Sequence, residues 1–379
     1  MKDFNYCAPT RVIFGKNTEL EVGKALKNAG ATRVLMQYGG GSIKKSGLYD
    51  RVVKAIRDEG IELFELGGVQ PNPHLSLVRK AIEIVREQKI DYLLAVGGGS
   101  AIDSTKATAV GAVYDGDVWD FYCGKAVPKK AMPVGVVLTI PAAGSEGSNS
   151  SVITNEDGWI KRGLGCDLTR PAFAIYNPEL TYSLPAYQTA AGATDIMAHI
   201  MERYFTNEPD VDMTDRLCES VLKTIIRQAP VAVKEPDNYV ARAEMMWAST
   251  VAHNDFLSCF RVGDWSSHQL SHELSGMYDA THGAALAVAG DGPLLAELKK
   301  DCPPNVHLLG AVAYPKAMQL LAQSRVYCLP TYYAEGFPTT LLEAAACRCP
   351  IVTTHTAGTG ELLPDGTYAA YLESTAPAV

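Results

Sequence analysis

Through the first half of the chain, short apolar runs alternate with stretches whose apolar positions recur every three to four residues. RVLMQY (33–38), IELFEL (61–66), DYLLAV (91–96), MPVGVVLTIP (132–141) and FAIYNPEL (173–180) predict buried strands. Between them, IKKSGLYDRVVKAIRDEG (43–60), HLSLVRKAIEIVREQK (74–89) and AIDSTKATAVGAV (101–113) carry helical spacing. Strands alternating with helices predict the α/β class, a mostly parallel, Rossmann-like sheet with helices on its faces. From about Leu184 the pattern turns helical, through LPAYQTAAGATDIMAHIMERYF, TDRLCESVLKTIIRQAP and ARAEMMWASTVAHNDFL. That change of period predicts a domain boundary near residue 185, with a Rossmann-like domain over 1–185 before it.

Two of the strands run into the same loop, GGGS. Gly39, Gly40, Gly41 and Ser42 follow the first, and Gly97, Gly98, Gly99 and Ser100 follow the third. A glycine-rich turn that opens a helix lets backbone N–H groups approach a phosphate closely. Ser42 and Ser100 are expected as helix N-caps. The loops are not the G-x-G-x-x-G fingerprint, and tight strand-to-helix turns are the alternative reading of each. Two of them at the ends of neighbouring parallel strands fit the crevice where such sheets bind nucleotides. Asp103, on the helix after the second loop, is placed to orient that loop or to meet a polar group of a cofactor. Lys44 and Lys45 follow the first loop with no acid nearby in sequence, which favours a 2′-phosphate and hence NADP(H) over NAD(H). A solvated pair of helix lysines is the alternative.

The helical stretch gathers histidine. Five of the eight histidines, His199, His253, His268, His272 and His282, fall in this region. Asp195 and His199 stand four residues apart, as do His268 and His272, so each pair leaves one face of a helix. A carboxylate with several imidazoles suits a divalent Zn or Fe ion with a position left for a substrate oxygen. Capping and surface histidines on amphipathic helices are the competing explanation, and His253 is read as structural.

Composition narrows the classes. A formal net charge of -8 argues against a nucleic-acid binder, and the apolar runs are all too short to span a membrane. The nine cysteines lack C-x-x-C spacing, and no apolar leader opens the chain, so a cytoplasmic protein with reduced thiols is expected.

YGGGSIKKSG, LAVGGGSAIDSTKA, the D-x-x-x-H pair, and H-x-x-x-H followed by H-G together resemble the metal-dependent, iron-containing alcohol dehydrogenases. EPDNYVARAEMMWAST and GDWSSHQLSHELSGMYDATHGAALAV are similar to the branch of NADP(H)-using butanol dehydrogenases and broad-range aldehyde reductases, and the resemblance runs to about Val288. It implies that Asp195, His199, His268 and His282 ligate the metal, with His272 beside them as acid/base or orienting residue. Gly97, Gly98, Gly99 and Ser100 would hold the pyrophosphate, with Thr139 and Lys161 near the cofactor. IPAAGSEGSNSS (140–151) departs from the family's usual T-T-A-G-T-G-S-E, which leaves contacts there open. The implied substrate is a small alcohol or aldehyde, with the metal as Lewis acid on its oxygen.

After ALAV that resemblance stops, and the helical domain (186–288) is cut short. VHLLG, RVYCLPT and PIVTTH predict strands, with YPKAMQLLAQS and TTLLEAAAC as helices between them. Residues 289–379 are similar to the nucleotide-sugar half of retaining GT-B glycosyltransferases. There Glu335 and Glu343 stand as the E-x7-E pair, implied to meet the donor sugar and its ribose; a solvent-facing Glu343 is the alternative. The basic donor-loop segment and an acceptor domain are absent from this stretch. The chain therefore reads as an engineered or recombined chimera, with dehydrogenase activity impaired by the replaced C-terminal helices. Its alternatives are a nucleotide-sugar binder or a non-catalytic fusion. Apolar helix faces left by the replacement favour self-association, and a homodimer is expected.

Overall fold

In the computed structural model, the described residues are 1–206, 208–263, 265, 268, 271 and 272, together with the backbone of five later strands. Contacts divide the chain into two compact units. One holds Met1–Asp264 and includes His272; the other includes Trp265, His268, Ser271 and the five later strands.

In the first unit β1 (Arg11–Phe14) leads to α1 (Val22–Asn28), β2 (Arg33–Tyr38), α2 (Ser42–Lys45) and α3 (Leu48–Asp58). Then come β3 (Glu62–Leu66), α4 (Leu75–Glu87), β4 (Tyr92–Gly97), α5 (Gly99–Gly111), α6 (Trp119–Tyr122) and β5 (Val134–Leu138). A hairpin of β6 (Ser150–Asn155) and β7 (Ile160–Gly165) precedes β8 (Phe173–Tyr176), and α7 (Ala186–Tyr204), α8 (Asp212–Lys234) and α9 (Tyr239–His253) follow. The six-stranded sheet is parallel throughout, in the order β1-β8-β5-β4-β2-β3.

Alternation within the strands assigns the two faces of the sheet. Val34, Met36 and Tyr38 join Leu94 and Val96 in one core with Val52 and Ile56 of α3. Leu35, Leu93 and Ala95 point the other way, into a core with Ala81 and Val85 of α4 and Ile102 of α5. Burial on both faces explains why β2 and β4 read as continuous apolar runs. The third core belongs to the helices: Ile196 and Ile200 of α7, Cys218 and Ile225 of α8, and Met245 and Ala248 of α9. Near residue 185 the strand–helix alternation does give way to these three helices.

The sequence pattern gave no sign of β1 or of the β6–β7 hairpin. β1 is a four-residue edge strand, and β6 is largely Ser, Thr and Asn, so neither carries a run long enough to register. Helix α8 continues through Pro230 to Lys234, a turn past the expected end. Ala232, fully buried, anchors that last turn against the helical core.

In the second unit, β9 (Leu286–Ala289) pairs in parallel with β10 (Val306–Gly310). Parallel β11 (Tyr327–Leu329), β12 (Ile351–Thr354) and β13 (Ala369–Leu372) form a three-stranded sheet in that order. The strands expected at VHLLG, RVYCLPT and PIVTTH are β10, β11 and β12. The helices expected between them lie outside the described residues.

Candidate active site

The strand order places the two glycine loops. From β2 the chain moves outward to β3, and from β4 it moves the opposite way to β5 and β8. Their carboxyl ends therefore flank the topological switch point, where open α/β sheets bind ligands. Gly39–Ser42 leaves β2 and Gly97–Ser100 leaves β4.

The loops differ in what their glycines are for. A Cβ on Gly97 would lie 2.8 Å from Ala101 Cβ, and one on Gly98 would lie 2.9 Å from Ile140 Cβ, so packing alone demands glycine there. A Cβ on Gly40 or Gly41 would meet nothing within 4 Å, so the first loop borders open space. Neither serine caps its helix. The N-caps are Gly41 and Gly98, and Ser42 and Ser100 lie inside the first turn. Glycine at the cap leaves the first-turn N–H groups without a side-chain acceptor, and each helix starts earlier than its serine suggested.

Around the first loop, Lys44 Nζ lies 5.4 Å from the Tyr38 ring centroid and 4.8 Å from that of Tyr49. Tyr49 donates to Glu65 Oε2 at 2.7 Å, which pushes its hydroxyl pKa up to about 12. Sequence distance hid this acid: Glu65 lies on β3, whose neighbour is β2, so the ladder brings it beside the loop.

Asp103 orients the segment after β5. It is half-buried and accepts from Ser145 Oγ at 2.6 Å and from the Val152 N–H at 3.0 Å. Burial raises its pKa, while Lys106 and these hydrogen bonds oppose the rise. Thr139 donates its backbone N–H to the Gly97 carbonyl at 2.9 Å, which fixes it beside the second loop. Lys161, on β7, is buried and donates to Asn72 Oδ1 at 2.8 Å, in the loop after β3.

On α7, Asp195 and His199 are 2% and 3% exposed, so a carboxylate and an imidazole share a buried helix face. His199 Nδ1 lies 2.8 Å from the Asp195 carbonyl and 3.5 Å from its Oδ1. A ring that donates from Nδ1 presents its lone pair at Nε2, the tautomer a metal ligand needs. Such a hard-and-borderline donor pair suits Fe or Zn.

Sequence reasoning set His253 aside as structural, and it stands directly behind this pair. Its ring centroid is 4.4 Å from that of His199. Arg203 Nη2 meets its Nδ1 at 2.9 Å, donates from Nη1 to the His199 carbonyl at 2.7 Å, and reaches Ser258 Oγ through Nε. Burial brings the Arg203 pKa down to about 10, so the guanidinium stays charged at neutral pH.

Asp195, His199 and His268 are each buried and each able to offer a ligand atom. His268 is helical, with its ring 5.5 Å from that of Trp265, and His272 is helical and half-buried. His282, Glu335 and Glu343 lie outside the described residues.

Comparison with known proteins places most of the chain. Residues 9–178 match the iron-containing alcohol dehydrogenase family, and residues 189–290 match the Fe-containing alcohol dehydrogenase C-terminal family. Residues 266–378 match the glycosyl transferases group 1 family. A probable NADH-dependent butanol dehydrogenase of Bacillus subtilis is 45% identical over 288 residues, spanning 76% of this chain and 74% of that protein. The NADPH-dependent aldehyde reductase YqhD of Escherichia coli is 40% identical, with the same coverages. Among solved structures, an NADH-dependent butanol dehydrogenase A from Thermotoga maritima superposes with a TM-score of 0.73 at 42% identity, covering 75% of this chain and 71% of that one. The chain belongs to the iron-containing alcohol dehydrogenase family: it is an oxidoreductase of the alcohol dehydrogenase and aldehyde reductase class, acting with a nicotinamide cofactor. Among the described residues, no helix is long and apolar enough to cross a membrane.

Proposed function

We propose that this chain transfers a hydride between NADP(H) and a primary alcohol or aldehyde, at a divalent metal held by Asp195, His199, His268 and His282. The observation that carries the reading is the buried Asp195–His199 pair on α7, within the same compact unit as the glycine loops of the switch point. A bound Fe or Zn ion would polarise the substrate oxygen as a Lewis acid, and the nicotinamide would give or take the hydride. The chain's own residues do the rest. Gly39, Gly40, Gly41 and Ser42 receive the adenosine end of the cofactor, and Gly97, Gly98, Gly99 and Ser100 receive its pyrophosphate. Asp103, Thr139 and Lys161 hold the walls of that crevice. His272 moves the proton of the substrate oxygen, because an imidazole titrates near working pH.

For NADP(H) over NAD(H), the support is Lys44 beside the open first loop, with no acid between residues 39 and 45. Glu65 already accepts from the Tyr49 hydroxyl through Oε2. Similar proteins named for NADH and for NADPH both exist, so initial rates of butanal reduction with each cofactor decide. A kcat/KM ratio above about 10 for NADPH supports the assignment, and a ratio below one overturns it.

For domains, we propose 1–185 for the cofactor, 186–288 for the metal and 289–379 as a glycosyltransferase-like fragment, joined in a homodimer in the cytoplasm. The match of residues 266–378 and the strands at β10, β11 and β12 support the fragment. Its E-x7-E pair, Glu335 and Glu343, would hold a nucleotide sugar. Calorimetry with UDP-glucose tests that second reading, and no heat at millimolar ligand removes it. Replacement of the last dehydrogenase helices would impair turnover by leaving the metal site short of its wall. Light scattering at twice the mass of 40.7 kDa would support the dimer.

A further inference from the structure

Lys106 is a fully buried lysine that neither the cofactor nor the metal reading uses. It lies on α5, three residues after Asp103 and two turns after the second glycine loop. Its Nζ donates to the Ser148 carbonyl at 2.8 Å, the Ser150 carbonyl at 2.9 Å and Ser148 Oγ at 3.4 Å. Asp103 holds the same segment at Ser145 and Val152. Two charged side chains of one helix thus grip residues 145–152 near both ends and in the middle.

The other side of that segment, with the residues just before it, meets helices α9 and α7. Glu146 is buried and accepts from Thr250 Oγ1 at 2.8 Å and Ser249 Oγ at 3.4 Å, both on α9. A Cβ on Gly144 would lie 2.6 Å from the Ser249 carbonyl, and one on Gly147 would lie 2.8 Å from Thr250 Cγ2. A Cβ on Gly192 of α7 would lie 2.7 Å from the Pro141 carbonyl. The contacts leave no slack between these helices and the β5–β6 connection.

We propose that Lys106 is a positioning residue, whose ammonium holds residues 145–152 as the tie between α5 and α9 and, through residues 141–144 just before them, α7. Hydride transfer requires the cofactor and the substrate oxygen at fixed separation, and a misplacement of about 1 Å costs about a hundredfold in rate. The loop that receives the pyrophosphate belongs to α5 itself, so loss of Lys106 leaves nucleotide binding intact and disturbs only the placement of one half against the other. This inference rests on the proposed cofactor and metal sites.

The test compares wild type with Lys106→Met and with the charge-balanced pair Asp103→Asn/Lys106→Met, in the full chain. Hydrogen exchange of the nucleotide-free, metal-free protein reads the support directly. The Ser150 and Val152 amides should exchange at least about tenfold faster in Lys106→Met, with α4 amides unchanged. The NADPH dissociation constant, read by cofactor fluorescence, should stay within about threefold of wild type, while kcat for butanal with Fe(II) falls at least about tenfold. In amide exchange and in kcat the balanced pair should be disturbed at least as much as the single variant, because it restores charge but not the hydrogen bonds and also weakens Asp103's hold on Val152. Unchanged exchange and kcat in Lys106→Met would overturn the inference, as would recovery of both in the balanced pair. Failure of wild type itself to bind either nucleotide would take down the cofactor reading, and this inference with it.

Discussion

Gly192→Ala is the sharpest test of how helix α7, with its proposed metal ligands, is seated. Gly192 lies one turn before Asp195 on α7, and its added Cβ would sit 2.7 Å from the Pro141 carbonyl oxygen and 3.5 Å from Ala142 Cβ. A carbon and a carbonyl oxygen rest at about 3.3 Å or more. Backbone must therefore yield by roughly 0.6 Å, since no flexible side chain stands there to move aside. Overpacking of that kind costs about 1–3 kcal/mol, and alanine's better helix propensity returns about 1 kcal/mol. The net loss of stability is thus small, about 0–2 kcal/mol. The catalytic cost is larger, because a shift of about half an ångström at Asp195 and His199 should lower kcat at least about tenfold. Urea unfolding and steady-state reduction of butanal separate the two effects. Gly165→Ala is the control, since nothing lies within 4 Å of its added Cβ. Wild-type kcat and stability in Gly192→Ala would refute the claim that contact with the β5–β6 connection positions α7.

Asp195→Asn should leave a folded protein that retains at least about a hundredfold less Fe or Zn after dialysis, as read by mass spectrometry of the metal; equal metal content would remove Asp195 from the ligand set. Gly40→Asp fits the open space at the first loop and places a carboxylate where a 2′-phosphate is proposed, so the NADPH dissociation constant should rise at least about tenfold with little change for NADH. Equal effects on both cofactors would contradict the placement. Lys106 makes a prediction in pH. Burial lowers its pKa from 10.5 to about 8, so between those values the unfolded chain binds more protons than the folded one. Its contribution to stability therefore rises with pH across that window, by at most about 3 kcal/mol, and is least favourable below pH 8. The difference in unfolding free energy between wild type and Lys106→Met should move toward wild type from pH 7.5 to 10.5, and a flat difference would contradict it.

The α/β half was legible because β2, β4 and β5 are buried on both faces and spell unbroken apolar runs, while α3 and α4 bury one face and spell helical spacing. The switch-point loops announced themselves by three glycines, although packing against Ala101 and Ile140 explains Gly97 and Gly98 as well as a phosphate does. The Asp195–His199 pair was readable because i and i+4 share a helix face whatever the tertiary fold. What pattern could not reach was long-range. Glu65 meets Tyr49 only through strand pairing, and Arg203 links His199 to His253 across two helices. Lys106 looks in sequence like any helix lysine, and only the fold shows its ammonium turned into a shell of carbonyls. The β6–β7 hairpin escaped because its alternation is carried by Ser and Thr rather than by large apolar residues.

The central claim is a metal-dependent hydride transfer surviving in this chain. It is tested most directly by NADPH oxidation with butanal in chelator-stripped protein, before and after adding Fe(II) or Zn, with His268→Ala alongside. The account predicts turnover that appears only with metal and is lost in His268→Ala. A folded wild type that stays inactive with either metal, or a rate indifferent to metal and to His268, would contradict it.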